Sequence, residues 1–417
     1  MVKPGYKQTE IGVIPEDWKL ATLDDLYSIT SSKRVFQSEW RDSGIPFYRA
    51  REIAVMGEGL PAPKDLYISE EMYERYSKQY GTIKENDVLI TGVGTLGKVY
   101  VVKKNDKFYF KDGNIIWLQW NGQYSSEFLK HLYRTTALTD QVFGNAGGST
   151  VPTYTITNAK ATIVPYPDYL EQCEIAEVLS EIENLIATSE KQVAKKKAIK
   201  QGAMQELLTG RKRLPGFSGE WTAHRLSDLG AFIKGSGISR AESNTGRIPA
   251  VRYGELYTTH QNYVTHFVSH ISKEVATKAK QVYKGDILFA ASGETKEEIG
   301  KCAAIIDDQT VYAGGDILIL RPHEPHNPVF MGTLLNTAEV CRQRAEKGQG
   351  DAVVHIHADS LGSINIKIPE IKEQDAIAEI LLGMDKEIEM LEMKLEKYRQ
   401  LKQGMMQQLL TGKIRIV

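Results

Sequence analysis

Positions 377, 381, 384, 388, 391, 395, 398, 402, 405 and 409 step alternately by four and three residues, and all but Lys402 are apolar. That is the seam of a heptad repeat, and it predicts a long helix lying against another helix at a small angle. The same steps run through Ile175, Leu179, Ile182, Ile186, Ser189, Val193, Lys196, Lys200, Ala203 and Leu207. Here Ser189, Lys196 and Lys200 place polar groups in the seam, so this helix either splays locally or turns those side chains to an outside partner. About 38 residues at ~1.5 Å each make a rod of roughly 57 Å. Mutual pairing of the two helices is favoured over the alternative that each packs on its own domain. Gly202 and Gly404 interrupt the helices at a cost near 1 kcal/mol each, which suggests a backbone brought close to a partner. Gly210 and Gly412 read as ordinary helix stops.

Before each helix the pattern changes to short apolar runs typical of strands. Examples are DVLIT at 87–91, KVYVV at 98–102, IIWLQW at 115–120, DILFA at 286–290 and ILIL at 317–320. Short helices are expected over 126–138 and 329–344, turns at 144–150 and 348–351, and Pro165, Pro167 and Pro369 mark the exits into the long helices. The chain also repeats itself. KQGAMQELLTG at 200–210 returns as KQGMMQQLLTG at 402–412, and EQxxIAExL at 171–179 returns at 373–381. Over 171–210 the copy at an offset of 202 is identical at 18 of 40 positions. Upstream the echo keeps Trp18, Leu23 and Leu26 against Trp221, Leu226 and Leu229, and IPxxRxxE at 45–52 against 248–255. A repeat of this length is a domain plus a helix. The expected fold class is α+β: two tandem mixed α/β domains at 1–167 and 214–369, followed by helical regions at 168–213 and 370–417.

With 52 Lys and Arg against 53 Asp and Glu among 417 residues, bulk charge does not mark a nucleic-acid coat. Distribution matters more. Lys191, Lys195, Lys196, Lys197, Lys200, Arg211, Lys212 and Arg213 form a basic run that reads as a solvated helix face or as a phosphate-facing stripe. Cys173, Cys302 and Cys341 are far apart and show no metal spacing, so reduced thiols are expected. No stretch approaches the ~20 apolar residues of a membrane span, and residues 1–19 lack the apolar core of a secretory signal. A soluble cytoplasmic protein is expected.

GVGTLGKV at 92–99 follows an apolar strand and nearly matches two phosphate-binding loops. Val99 stands where a magnesium-binding hydroxyl is needed, however, and an alternating strand follows where either motif requires a helix. A strand-to-strand loop is the better reading, with Lys98 and its counterpart Lys301 free to meet a phosphate. NPVF at 327–330 resembles the base-gripping motif of amino-methylating DNA enzymes, but no glycine-rich cofactor loop accompanies it, and it reads as a helix start. The pairs His323 with His326 and His355 with His357 lack a third metal ligand. No catalytic constellation and no cofactor is expected. Polar, glycine-bearing loops stand out instead: SITSSKR at 28–34, RAREI at 49–53, NAGGSTVPTY at 145–154 and KGSGISR at 234–240. Such side chains reach base edges and phosphates at little desolvation cost. The candidate DNA-contacting residues are Arg34, Arg49, Arg51, Lys98, Asn145, Ser149, Thr150, Lys234, Arg240, Arg252 and Lys301. The candidate helix-pairing residues are Ile175, Leu179, Ile182, Ile186, Leu207, Ile377, Leu381, Met384, Ile388, Leu391, Leu395 and Leu409.

Together the two half-length repeats, each ending in a long helix with EQxxIAExL and QxxLLTG, resemble the specificity subunit of type I restriction-modification systems. GYKQTEIGVIPEDW at 5–18 and LPGFSGEW at 214–221 are similar to that family's domain-entry phrases, and the resemblance covers essentially the whole chain. It implies a non-catalytic reader of double-stranded DNA. Two target recognition domains each read half of a split site, and the helices form an antiparallel coiled coil with pseudo-two-fold symmetry that sets the spacer. Two methylation subunits are recruited, and restriction subunits through the complex. The diverged loops add an expectation of an asymmetric site, and the near-neutral charge one of modest DNA affinity for the chain alone. Rival classes are an enzyme, either a nucleotide hydrolase using 92–98 or a stand-alone methyltransferase, and a coiled-coil scaffold without sequence preference.

Overall fold

The computed structural model describes residues 3–144, 152–350 and 353–416. It divides into two compact units, the first formed by residues 1–190 with 394–417 and the second by residues 191–393. Two helices of 39 residues each, Tyr169–Leu207 and Ile371–Leu409, contribute to both units.

In the first unit an antiparallel sheet has the order Ser28–Thr30, Ile115–Gln119, Val88–Thr91, Val99–Val101. A smaller sheet joins Tyr67–Ile68, Ile45–Tyr48 and Tyr109–Phe110, the last two running parallel. The expected loop at 92–99 does join one strand to the next: Gly97 N–H donates to the Thr91 carbonyl at 2.9 Å, and Val99–Val101 continues as a strand. The core holds Trp18, Ile116, Leu118, Phe128 and Leu132. It also takes Ile175 and Leu179 from the start of the first long helix, and Leu409 and Leu410 from the end of the second. Burying each such side chain stabilises by roughly 1.5–3 kcal/mol, so the end of the chain is part of the core of its first domain.

The second unit is built alike. Its larger sheet has the order Gly230–Lys234, Ile317–Pro322, Ile287–Ala290, Cys302–Ile305, Tyr263–Val264. A second sheet has the order Ser269–Ile271, Ile248–Val251, Val311–Ala313, Lys280–Val282. Ile377 and Leu381 from the start of one long helix, and Leu207 and Leu208 from the end of the other, complete its core. The two alternatives for the helices therefore merge: each helix begins on its own domain and also pairs with the other helix.

That pairing is antiparallel in both units. In the first, Glu183 meets Lys402 at 2.8 Å and Glu190 meets Arg399 at 2.7 Å. In the second, Lys196 meets Glu387 at 2.5 Å, Lys197 meets Glu392 at 2.7 Å, and Lys200 meets Asp385. All ten seam positions of each helix are buried or half-buried, so the heptad reading of Ile182, Ile186, Met384, Ile388, Leu391 and Leu395 agrees with the pairing. The polar seam positions are engaged within the helix pair, although Lys196 stays 40% exposed. Acids on the facing helix hold Lys196 and Lys200, and the Ser189 hydroxyl donates to the Leu185 carbonyl at 2.8 Å.

Two further expectations are corrected. The helix expected over 126–138 is two, Ser126–Leu132 and Thr136–Gly144, and that over 329–344 is Pro328–Leu335 and Ala338–Lys347. Both breaks share one feature. The hydroxyls of Thr135 and Thr337 donate to the carbonyls three residues back, Leu132 at 2.7 Å and Leu334 at 2.8 Å, closing the helix locally. Asn327 caps the second pair through Phe330 N–H at 3.0 Å, with Pro328 in the first turn, so NPVF is a helix start.

Candidate nucleic-acid interface

In the first unit, Ser28–Thr30 and Val88–Thr91 both run antiparallel to the strand between them, with Trp117 opposite Thr30 and Ile115 opposite Thr91. The segments leaving Thr30 and Thr91 and the one entering Ile115 therefore meet at one sheet end. Hydrogen bonds stitch them together. Ser31 Oγ donates to the Ile115 carbonyl at 2.9 Å and accepts from Gly113 N–H at 3.1 Å. Gly92 N–H reaches the Asn114 carbonyl at 2.9 Å, and Tyr154 N–H reaches that of Gly92 at 2.9 Å. Lys111 N–H bonds the Tyr48 carbonyl at 2.8 Å, which brings Arg49 to the same edge.

The second unit repeats this closure. Gly235 N–H bonds the Ile317 carbonyl at 2.8 Å, Ala291 N–H that of Asp316 at 2.8 Å, and Ile356 N–H that of Ala291 at 3.0 Å. Gly314 N–H bonds the Val251 carbonyl at 2.9 Å, which places Arg252 beside the same loops. Lys234 ends its strand there, exposed, and Arg240 lies on the adjoining loop, also exposed.

The candidate side chains differ in how committed they are. Arg34 pairs with Asp112 at 2.9 Å yet its side chain stays 66% exposed. Arg51 is equally exposed, 3.3 Å from Glu52 and 3.5 Å from Asp65. Arg49 is clamped by buried Glu52. Lys98 lies 2.5 Å from Glu58 at the end of the Ala50–Gly57 helix, and Lys301 Nζ donates to the Tyr257 carbonyl at 3.2 Å in the Tyr253–Thr258 helix. These two equivalent lysines thus serve helix C-terminal ends, where a cation is favoured. Asn145, Ser149 and Thr150 lie outside the described residues.

Sequence reasoning missed the turns at 111–114 and 314–316, which join the strand ends. It also missed a cation–aromatic surface in which Lys33 stands 5.4 Å over the exposed Tyr80 ring and Arg75 lies 5.3 Å from that of Tyr76. Tyr109 behind it has its phenol pushed up to about 12 by burial. Among the described residues the basic run at 191–213 divides into paired and unpaired members. Lys196, Lys197 and Lys200 pair with acids of the facing helix, and Arg213 binds buried Glu373 through Nε at 2.7 Å and Nη2 at 2.6 Å. Lys191, Lys195, Arg211 and Lys212 remain exposed.

Arg213 has a counterpart 202 residues on. Arg415 binds Glu171 through Nε at 2.5 Å and Nη2 at 2.8 Å, and reaches Asp17, whose carboxyl it holds below the usual range. Each repeat phrase thereby acquires a physical meaning. In Leu-Leu-Thr-Gly-x-x-Arg the leucines enter a core, the glycine packs at a tryptophan, and the arginine neutralises the buried glutamate that opens EQxxIAExL. Gly412 adopts φ +65° against Trp18, and Gly210 adopts φ +67° against Trp221. The signal was available as an arginine three residues past the glycine in both copies.

A family profile described as "Type I restriction modification DNA specificity domain" matches residues 15–201 and again 218–398. The chain belongs to this specificity-domain family. A protein of Haemophilus influenzae described as a type I restriction enzyme specificity subunit is 30% identical over 183 residues, a match that spans 43% of this chain and 44% of the relative. The type I restriction enzyme MjaVIII specificity subunit of Methanocaldococcus jannaschii is 22% identical over 426 residues, covering 97% of this chain and 94% of the relative. A crystal structure of the type I restriction-modification system S subunit from M. genitalium superposes with a TM-score of 0.59 at 13% identity, over 94% of this chain and 96% of that one. That likeness shows the fold. Two specificity domains in tandem with long helices make this chain a DNA-specificity subunit of recognition rather than catalysis. Among the described residues no group of three His, Cys, Asp or Glu side chains is placed to hold a metal, and no helix is long and apolar enough to cross a membrane.

Proposed function

We propose that the recognition domains, residues 1–167 and 214–369, each read one half of an asymmetric bipartite site in double-stranded DNA. The helical regions at 168–213 and 370–417 set the spacer and recruit two methylation subunits, and restriction subunits through them, in the cytoplasm. The observation that carries the reading is the contrast between what the repeats keep and what they lose. The strand-end closures recur in both units, yet their side chains differ: Ser31, Arg34 and Asp112 in one, Lys234, Arg240 and Asp316 in the other. Unlike loops on like frames suit unlike half-sites. Exposed Arg34, Arg51, Lys234 and Arg240, with half-buried Arg252, head the contacts to DNA; Asn145, Ser149 and Thr150 belong to the same proposal, and Arg49, Lys98 and Lys301 contribute mainly to local structure.

On the helices the opposite holds. Gln201, Gly202 and Gln205 match Gln403, Gly404 and Gln407, and all six are exposed. A side chain added at Gly202 or Gly404 would meet nothing within 4 Å, so the chain itself gives no reason for these costly glycines. Ile199 and Leu401, 46% and 51% exposed, flank them. Identical exposed faces that perform no internal task suit one partner bound twice. Deleting one heptad from both helices, in register, is expected to shorten the preferred spacer and leave both half-sites unaltered, as read by selection from random duplexes. An unaltered spacer would show that the helices do not measure it.

A further inference from the structure

The motif IPxxRxxE occurs in both recognition domains, but the side chains of its arginine and glutamate pair in only one. In the first, Glu52 accepts the Arg49 backbone N–H at 2.9 Å and clamps its guanidinium through Nε at 3.2 Å and Nη2 at 3.0 Å. Arg51 adds a second cation at 3.3 Å. Glu52 is 2% exposed, so this carboxylate is fully spent on its own domain.

In the second domain Gly254 replaces Arg51, and Glu255 turns elsewhere. Its Oε1 accepts a hydrogen bond from the Ser269 hydroxyl, and its Oε2 faces buried His260 Nε2 at 3.8 Å. Arg252, the counterpart of Arg49, is left with the Ser243 hydroxyl at 3.5 Å and has no carboxylate within 4 Å among the described residues. Its surroundings are the segments assigned above to the sheet end. Ser243 in turn donates to the Arg240 carbonyl at 2.8 Å, and the strand that leads into Arg252 accepts from Gly314 N–H at its last residue, Val251. A guanidinium keeps its charge at any pH relevant to a protein and presents a planar fork of donors. Among the described residues most of that fork is unspent, and the side chain is half-buried and therefore restricted in direction.

We propose that Arg252 is the specificity-determining side chain of the second recognition domain, donating its fork to a pair of adjacent acceptors on a base edge, the N7 and O6 of a guanine. Its counterpart Arg49 is withheld by Glu52, so the two domains do not read the same base with the same residue. The inference rests on the DNA-reading assignment and sharpens it. Such a fork discriminates its base by about 10- to 100-fold, whereas a phosphate contact carries no base preference.

The test compares wild type, R252Q and R252K as full-length chains assembled with their methylation subunits, in selections from random duplex libraries. Expected for R252Q is the loss of preference at one guanine in one half-site, an about 10- to 100-fold lower affinity for the original site, and an unaltered second half-site. R252K, which keeps the charge without the fork, is expected to lose the same base preference while retaining most affinity; it also decides the matter if R252Q melts well below wild type. An unaltered motif from both variants overturns the inference, and so does a uniform fall in affinity with the motif intact, which would make Arg252 a phosphate contact. A wild-type selection that returns no motif overturns the DNA-reading assignment and this inference with it.

Discussion

A single buried group contributes to how the first unit responds to acid. His131 is fully buried in the Ser126–Leu132 helix, with Nε2 3.3 Å from the Ser180 hydroxyl and Nδ1 without a hydrogen-bond partner among the described residues. Burial lowers its pKa to about 4, outweighing Glu183, whose Oε1 lies 3.7 Å away but is already held by Arg134 and Lys402. A histidine whose folded pKa lies below the ordinary ~6.5 binds its proton more readily once unfolded. Stability is therefore intact above about pH 6.5 and falls as the pH drops towards 4, by up to about 3 kcal/mol. Urea unfolding at pH 7 and pH 5 is expected to show this acid loss in wild type and a smaller one in H131Q; equal losses would sink the assignment. Little of this was legible in the sequence. Nothing in EFLKHLY marks His131 as buried, and nothing near Arg213 or Arg415 names Glu373 or Glu171, because those partners lie 160 and 244 residues away.

The long helices were legible as elements and their partners were not. Periodicity fixes which face is apolar, and the seam positions are indeed the covered ones. It does not say that one helix serves two domains, since an apolar position looks the same whether a strand or another helix covers it. Lys200 shows the limit: read as a flaw in the seam, it is 15% exposed and pairs with Asp385, which also accepts from the Tyr263 hydroxyl at 2.6 Å. Its counterpart Lys402 pairs with Glu183, so the lysine that opens KQG is the antiparallel lock in both copies. K200E is expected to lower the melting temperature of the second unit by roughly 2–4 °C, about 1 kcal/mol. Exchanging the charges in K200E with D385K is expected to recover most of that. No recovery would mean that Lys200 acts through its packed stem rather than its charge. The short helices were less legible, because Thr135 and Thr337, which stand at their breaks, look no different in sequence from any other helix threonine.

At the scale of the whole chain, the 202-residue echo announced two modules, and the structure adds how each is completed. The first core needs Leu409, Leu410 and Arg415 from the end of the chain, and the second needs Leu207, Leu208 and Arg213 from the end of the first helix. The phrases that repeat most closely are thus the ones that close the modules, together with the exposed glycine face beside them. The segments that diverge are the strand-end loops, and there the sequence did not rank the residues, since the difference between Arg49, clamped by Glu52, and Arg252 lies in where a glutamate side chain points. The account as a whole stands on two unlike reading ends joined by helices of fixed length. The most direct measurement is the DNA motif selected by the full chain with its methylation subunits from a random duplex library. Two different half-sites separated by a constant, unspecified spacer are predicted; a palindromic motif, or half-sites joined by spacers of variable length, would contradict it.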